Sequence, residues 1–401
     1  MGQLNPDKHS GAVLIILTLF AVVGPVSIDI FTPSLPAITQ YFGTDNATAQ
    51  LSVGLFMLGF SLSMLIVGPL SDRFGRKNTL LGGYSLYLLA TLVTLNTESI
   101  HVFIAARFAQ AIFGCFGTAV ARTLARDYYN DRMEVKMLSY IGGCLIIAPM
   151  AAPVAGGFIQ EYAGWKYSFV AMAALAVIAM ISLTFIPEKS RKNEKASLNV
   201  LNGYKDVLTD WHYMRFTIAA GVAFSGAFAF VVGAPFVLID QLGVAPKQYG
   251  FIIAIAIAGY LLSASLGPKL TDRISREQST RLAGFLLLTG ALISLGSGWL
   301  TDGTSVSGYV AGIFIYEMGL GIFMPLCQAR ATEHMKSNIG TASGLIFFIE
   351  MLLATLISGM VGLLPQAGTT PLAAVTLVAV GIASISLTGT SKAQVGQPQP
   401  A

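Results

Sequence analysis

The stretch GPLSDRFGRKN, Gly68–Asn78, sets Asp72, Arg73, Arg76 and Lys77 within six residues, between two segments too apolar for water. Charge concentrated between such segments marks a turn joining two membrane crossings. The composition around it agrees: 54% of the 401 residues are hydrophobic and 11% are charged, against about 25% charged in an ordinary soluble domain. Polar interruptions divide the chain into twelve apolar stretches, approximately 12–34, 48–70, 78–95, 101–125, 137–160, 166–187, 213–239, 248–268, 281–300, 307–330, 339–364 and 371–389. Each is about 18 residues or longer, enough for a helix to cross a hydrocarbon core of about 30 Å. The expected fold is therefore an all-α membrane protein with twelve transmembrane helices.

Basic residues orient the array. Twenty Lys and Arg fall in alternate connections on one face, among them Lys8, Arg73, Arg76, Lys77, Arg126, Arg132, Lys136, Arg273, Arg276, Arg330, Lys336 and Lys392, whereas the other face holds Lys166 and Lys247. Positive charge stays on the cytoplasmic side, which predicts a multi-pass protein with cytoplasmic termini. The net charge of +4 follows from that bias and gives no reason to expect nucleic acid as a partner. The apolar start AVLIILTLFAVVG runs on through Pro25 and Asp29 without a small-residue cleavage site, so it reads as the first span and not as a cleaved signal. Cys115, Cys144 and Cys327 all fall inside spans, a pattern that suits neither a disulfide framework nor a metal site. His9, His101, His212 and His334 lie at or near span ends, and no nucleotide loop or Ser/His/Asp set is present. An enzyme is not expected, nor is a cofactor.

The polar run EKSRKNEKASLNVLNGYKD divides six spans from six. It predicts an N-terminal bundle over 1–187, a solvated linker over 188–212 and a C-terminal bundle over 213–401. The opening motif has a counterpart 199 positions on: GPKLTDRISRE, Gly267–Glu277, follows span eight as GPLSDRFGRKN follows span two. Equivalent loops in equivalent places imply two pseudo-symmetric six-helix bundles, an arrangement that puts substrate sites between the halves near the midplane.

GPLSDRFGRK resembles the loop two–three signature of the major facilitator superfamily, and the likeness extends over the whole chain in span count, repeat and spacing. SIDIFTPSLP (Ser27–Pro36) and RTLARD (Arg122–Asp127) are similar to the Bcr/CflA branch of drug:proton antiporters. That resemblance implies efflux of small antimicrobial compounds of the chloramphenicol or bicyclomycin kind, driven by inward proton flow through alternating access. A gradient of protons would replace any cofactor, and the resemblance implies a bacterial inner membrane; a monomer is expected. Two further classes stay open: a same-fold exporter or symporter of a physiological metabolite or siderophore, and a membrane receptor or scaffold.

An ionised side chain at mid-bilayer costs on the order of 3 kcal/mol or more, so each intramembrane charge needs a reason. Asp29 in span one and Arg107 in span four lie at similar depths, roughly 9 Å from the outward end at 1.5 Å per residue, and so are able to meet. Asp29 is then the proton acceptor with Arg107 beside it, or the two form a permanent structural pair. Arg107 falls in RFAQAIFG, similar to the superfamily's span-four signature, but Ala111 stands where that signature has Gly. Arg122 is about 60° round the same helix, where it faces the cavity and holds an anionic or carbonyl-rich substrate, or else snorkels to the interface. Glu317 and Glu350 sit near the midplane of spans ten and eleven, as proton or substrate groups or as neutral core residues.

Span five carries Ala148, Ala152 and Gly156 at intervals of four, beside Pro149, Pro153 and Gly157; span eight carries Gly250, Ala254 and Ala258. Small residues at this spacing let helices approach closely. The stripe of span five resembles an antiporter signature, which implies a leak-tight seam between halves. Phe224, Phe228, Phe230 and Phe236, with Tyr316 and Met324, are candidates for an apolar pocket. In the opening motif, Gly68, Asp72, Arg73, Gly75 and Arg76 are expected to form a cytoplasmic gate. Arg76 would reach Asp127, and Asp72 would meet the positive N-terminus of span eleven near Ser337 and Asn338. Ser275 and Glu277 replace Gly75 and Lys77 in the echo, so the two loops are not expected to latch equally.

Overall fold

The computed structural model describes residues 9–187, 200–271, 273–333, 335, 339–364 and 368–387. Lys8, the basic run over 188–199, Asp272, His334, Lys336, Ser337, Asn338 and Lys392 lie outside them, and with them the expected partner of Asp72.

Twelve helices are long and apolar enough to cross a membrane: Ser10–Phe42, Asn46–Phe74, Arg76–Asn96, Ile100–Tyr128, Arg132–Tyr162 and Trp165–Ser182 in the first half, then Trp211–Gln241, Pro246–Gly267, Arg276–Leu300, Val306–Thr332, Ala342–Leu363 and Thr370–Leu387 in the second. They are called spans one to twelve. Their ends follow local chemistry. Asp45 caps span two by accepting from the Thr48 N–H at 2.8 Å and from its hydroxyl at 2.7 Å. Those two bonds hold the Asp45 carboxyl below the usual range. Asp210 accepts from the His212 and Tyr213 N–H groups at the start of span seven, and Ser275 makes a reciprocal capping box with Gln278 ahead of span nine.

Unlike those of a soluble protein, the apolar residues face outward as well as into the core. Spans three, six, nine and twelve keep large apolar side chains exposed in helical stripes, such as Leu89, Leu92 and Val93, or Val378, Ile382 and Ile385. These stripes suit lipid, where the hydrophobic effect no longer separates inside from outside. The intramembrane polar residues go inward among the apolar core, including Arg107, Gln110, Glu317 and Glu350.

Three central spans are interrupted. Span one is helical over Ser10–Asp29, turns through a short 3₁₀ segment at Thr32–Ser34, and resumes at Leu35–Phe42. Pro33 and Pro36 bracket that break; a proline lacks the N–H that would continue the ladder. Span four breaks at Cys115, between Ile100–Gly114 and Phe116–Tyr128. Span seven ends in a π-helical turn, Pro235–Gln241. Discontinuities of this kind recur where transporters bind substrate.

The halves meet along two seams, span two against span eleven and span five against span eight. Both close tightly near the face opposite the basic loops. There Thr355 Oγ1 donates to the Gly54 carbonyl at 3.1 Å, and Gly157 and Gly250 bring spans five and eight into backbone contact at Pro246 and Pro153. Toward the basic face, Gly68, Gly142, Gly143, Gly267 and Gly344 have open space where a Cβ would stand. The expected linker is not wholly solvated: Val200–Thr209 forms a helix, and its Val207 is buried in the core of the second half, with Tyr204 packed against the same cluster. An alternation of apolar residues inside a basic run is enough to dock one face.

Candidate functional site

Between the halves lies a cavity of about 370 Å³, within the usual range of small-molecule pockets. Spans one, two, four and five line one wall, and their repeat equivalents seven, eight, ten and eleven line the other. Asp29, Arg122, Glu317 and Glu350 all face it, as do Phe228 and Pro149. Most of the remaining surface is apolar, from Met57, Phe60, Leu145 and Phe224 to Leu320 and Met324.

Asp29 is the last helical residue before the break in span one and is 7% exposed. It does not pair with Arg107; no ion pair joins them among the described residues, and Arg107 is not part of the cavity lining. Arg107 does reach span one, at the level of Ser27, but on another side of the helix from Asp29. Ser27 and Asp29 are two residues apart, about 200° round the helix, and Arg107 lies on the Ser27 side. Its guanidinium donates to the Ser27 carbonyl at 2.8 Å and to Gln110 Oε1 at 2.9 Å. It also lies against the rings of Phe31 and Phe56, at 4.0 and 4.3 Å from their centroids. Gln110 passes the chain on to Thr91 Oγ1 at 2.7 Å, and the Ser27 and Tyr87 hydroxyls close it at 2.7 Å. A fully buried charge is thus held by carbonyl, amide and π faces, for which a planar, weakly hydrated guanidinium is suited. Ser27, Tyr87, Thr91 and Gln110 were missed in the sequence; the signal was Gln110, one helical turn from Arg107.

Arg122 lies in the cavity toward the basic face, its guanidinium 5.5 Å from the Phe347 ring. Glu317 and Glu350 come from spans ten and eleven and are 6% and 1% exposed. Glu350 Oε1 accepts from Gln328 Nε2 at 2.9 Å. Tyr260 of span eight lines the same cavity as both carboxyl groups. Tyr316 is a correction: it is outside the cavity lining, and its hydroxyl donates to the Ala223 carbonyl at 2.7 Å, tying span ten to span seven. A phenol near the midplane found a backbone acceptor instead of a ligand. Phe224 and Phe228 stack at 6.0 Å in the lining, whereas Phe230 packs on Tyr309 away from it.

At the basic face, Arg76 gathers three acceptors: Asp72 at 2.6 Å, Asp127 at 3.3 Å and the Ser71 hydroxyl at 2.6 Å. Arg73 lies over the Phe74 ring. Gly75 has φ +87°, a backbone state open to Gly at little cost, and lets span two turn into span three within one residue. The echo loop holds Arg276 against Glu333 at 3.2 Å, the same helix ends in the second half, but with side chains 69% and 49% exposed, against 14% for Arg76 and 23% for Asp127. Exposed pairs are worth little, so the two loops differ in strength. Of the small residues of span five, Pro153 and Gly157 meet span eight, while Gly156 faces the Ile30 carbonyl of span one. The stripe therefore seats the break in span one as well as forming the seam. Glu161 and Lys247 bridge the halves at the far end of that seam, 2.7 Å apart.

The sequence pattern of the Major Facilitator Superfamily matches residues 17–359. The chloramphenicol resistance protein CraA of Acinetobacter baumannii is 26% identical, over 86% of this chain and 84% of its own length. The multidrug transporter MdfA of Yersinia pestis (strain Angola) is 28% identical, over 85% and 84%. In fold, a D-xylose-proton symporter superposes with a TM-score of 0.75 at 14% identity, over 94% of this chain and 97% of that one. With twelve spans in two six-helix halves around a central cavity, and that match over most of its length, the chain belongs to the Major Facilitator Superfamily of membrane transporters.

Proposed function

We propose that the chain exports small drug-like molecules in exchange for protons, by alternating access between its two halves. The observation that carries this reading is the cavity itself, an apolar and partly aromatic chamber into which three carboxyl groups project from both halves. Apolar surface binds a range of drug-like molecules, and a buried carboxyl group that loses a proton must gain a charge or water in its place. Asp29, at the break in span one, is the coupling group; Arg107 acts on it indirectly, by holding the Ser27 carbonyl and so the last turn before the break. Glu317 is the second candidate proton site. The names of the relatives, a chloramphenicol resistance protein and a multidrug transporter, support export of such compounds.

In this reading the basic face is cytoplasmic, both termini lie there, and the membrane is a bacterial inner membrane. The structure then corresponds to an inward-facing state, shut on the periplasmic side. The driving force is the proton gradient, with about 2.3 kcal/mol per charge for each 100 mV of potential and no cofactor. A monomer suffices, since both walls come from one chain.

Everted vesicles with a preformed proton gradient test the reading. Chloramphenicol is expected to release part of the gradient in vesicles carrying the wild-type chain, and not with Asp29→Asn. A gradient untouched by a panel of neutral and cationic drugs would leave export of a physiological metabolite as the better reading.

A further inference from the structure

Two arginines of the second half have no acid to meet. Arg215, one turn into span seven, and Arg330, at the end of span ten, both lie over the Phe216 ring, at 4.9 and 5.7 Å from its centroid. Each is half-buried, and neither forms an ion pair among the described residues. On the same face Arg76, Arg126, Arg276 and Arg281 each have a carboxylate, while Arg73, Arg132 and Arg273 stand exposed. Asp210 is close in sequence, but its carboxylate is taken by the N–H groups of His212 and Tyr213; Asp206 is exposed on the linker helix.

The pair does not belong to the transport cavity, since neither residue lines it. At about 100° per residue, Arg215 is roughly 180° round span seven from Phe224, and Arg330 roughly 200° round span ten from Gln328. Phe224 and Gln328 are the residues that face the cavity. Phe216 belongs instead to the core cluster that includes Leu287 of span nine and Ala383 of span twelve. The two guanidiniums therefore sit at the foot of the second half, on its outer side. An arginine that only sets topology snorkels its head into water. Arg215 does not: its Nε is buried and meets no acceptor among the described residues, a costly state for a charged group unless an anion completes it.

The rim of the site says which anion. Trp211 precedes Arg215 by one turn on the same helical face and is 71% exposed. Leu208 of the linker helix is 45% exposed beside the buried Val207, and Lys205, one turn before it, is exposed as well. An exposed indole and leucine next to unpaired guanidiniums match a membrane interface and not free solution. Indole rings settle at headgroup level, basic pockets between helix ends take anionic headgroups, and the guanidinium fork fits phosphate. We propose that Arg215 and Arg330 form a site for the phosphodiester of an anionic phospholipid, with Trp211 and the linker helix as its apolar rim. The bound lipid ties the feet of spans seven and ten to the linker helix from the membrane side.

The full-length protein in phosphatidylcholine nanodiscs tests this through the fluorescence of Trp211, taken as the difference between the parent and Trp211→Phe. The probes are phosphatidylglycerol and phosphatidylcholine, each brominated high on the acyl chains. Half-maximal quenching is expected at a mole fraction at least about fivefold lower for brominated phosphatidylglycerol, as about 1 kcal/mol per basic residue implies. Arg215→Gln combined with Arg330→Gln should bring the two lipids level, whereas Arg276→Gln, which removes a partner of Glu333, should keep the preference. Native mass spectrometry reads the same site independently: the parent should retain phosphatidylglycerol through detergent exchange, and the double variant should lose it. Equal quenching by the two lipids in the parent overturns the site, and that comparison needs no arginine variant to fold. A preference that persists in the double variant overturns it too. Inorganic phosphate should leave the preference intact; if it abolishes it, the anion is a soluble one and the lipid site is wrong.

Discussion

At the scale of single residues, burial sorts the charged groups more sharply than position in the chain does. Arg107 is fully buried and meets its hydrogen-bond acceptors and aromatic faces without an acid. Arg107→Lys is therefore not conservative: an ammonium cannot make two divergent bonds and lie flat on Phe31 and Phe56. Loss of one charge-assisted bond costs about 1.5–3 kcal/mol, so the melting temperature of the purified variant should drop by several degrees even though Lys keeps the charge. An unchanged melting curve would mean that the network contributes nothing. Gly75 gives a cleaner contrast. Its φ of +87° makes Gly75→Ala destabilising by at least about 1 kcal/mol. Gly68→Ala, seven residues earlier in a helix with open space around it, should leave the melting temperature level or raise it slightly.

At the scale of elements, the twelve spans and the two loops were legible in the sequence, because a run of apolar residues bounded by charge has few other uses. The interruptions were legible only in part. Pro33 and Pro36 announce a break in span one and Pro235 one in span seven, but no proline announces the break at Cys115. Directions around the helices were the least accessible. A rise of 1.5 Å per residue places a residue along the helix axis, and that brought Asp29 and Arg107 into the same region without saying which way either faces. Which way each points depends on the neighbour it packs against, and Ser27, Tyr87 and Gln110 draw Arg107 away from the cavity. The same limit misplaced Tyr316 in the pocket and assigned Gly156 to the seam, whereas the Ile30 carbonyl lies against it. Close approach at that point predicts that Gly156→Ala displaces the break in span one, shifting Asp29. Transport should fall at least about tenfold while the protein still inserts and purifies. Gly143→Ala, on the same span with nothing near its Cβ, should transport normally.

At the scale of the whole molecule, the two halves are held together at one end and apart at the other. Glu161 and Lys247 form an ion pair across the seam, with 23% and 37% of their side chains exposed. Such a pair contributes about 0–1 kcal/mol, small for stability yet comparable to the balance between two conformations of a transporter. Lys247→Glu should shift the population toward opening on the face opposite the basic loops. A cysteine introduced near Asp29 would then react faster with an impermeant maleimide from that side, and the swap Glu161→Lys with Lys247→Glu should return the rate to that of the parent. Equal rates in all three proteins would show that the pair does not bias the equilibrium. The central claim is proton-driven export through the cavity, with Asp29 as the coupling group. Its most direct test is uptake of labelled chloramphenicol into proteoliposomes holding the purified chain, with the lumen made acidic. The wild-type protein should accumulate the drug above its external concentration, and a protonophore or Asp29→Asn should reduce this to simple equilibration. Accumulation that ignores the imposed gradient, or that survives Asp29→Asn in full, would contradict the account.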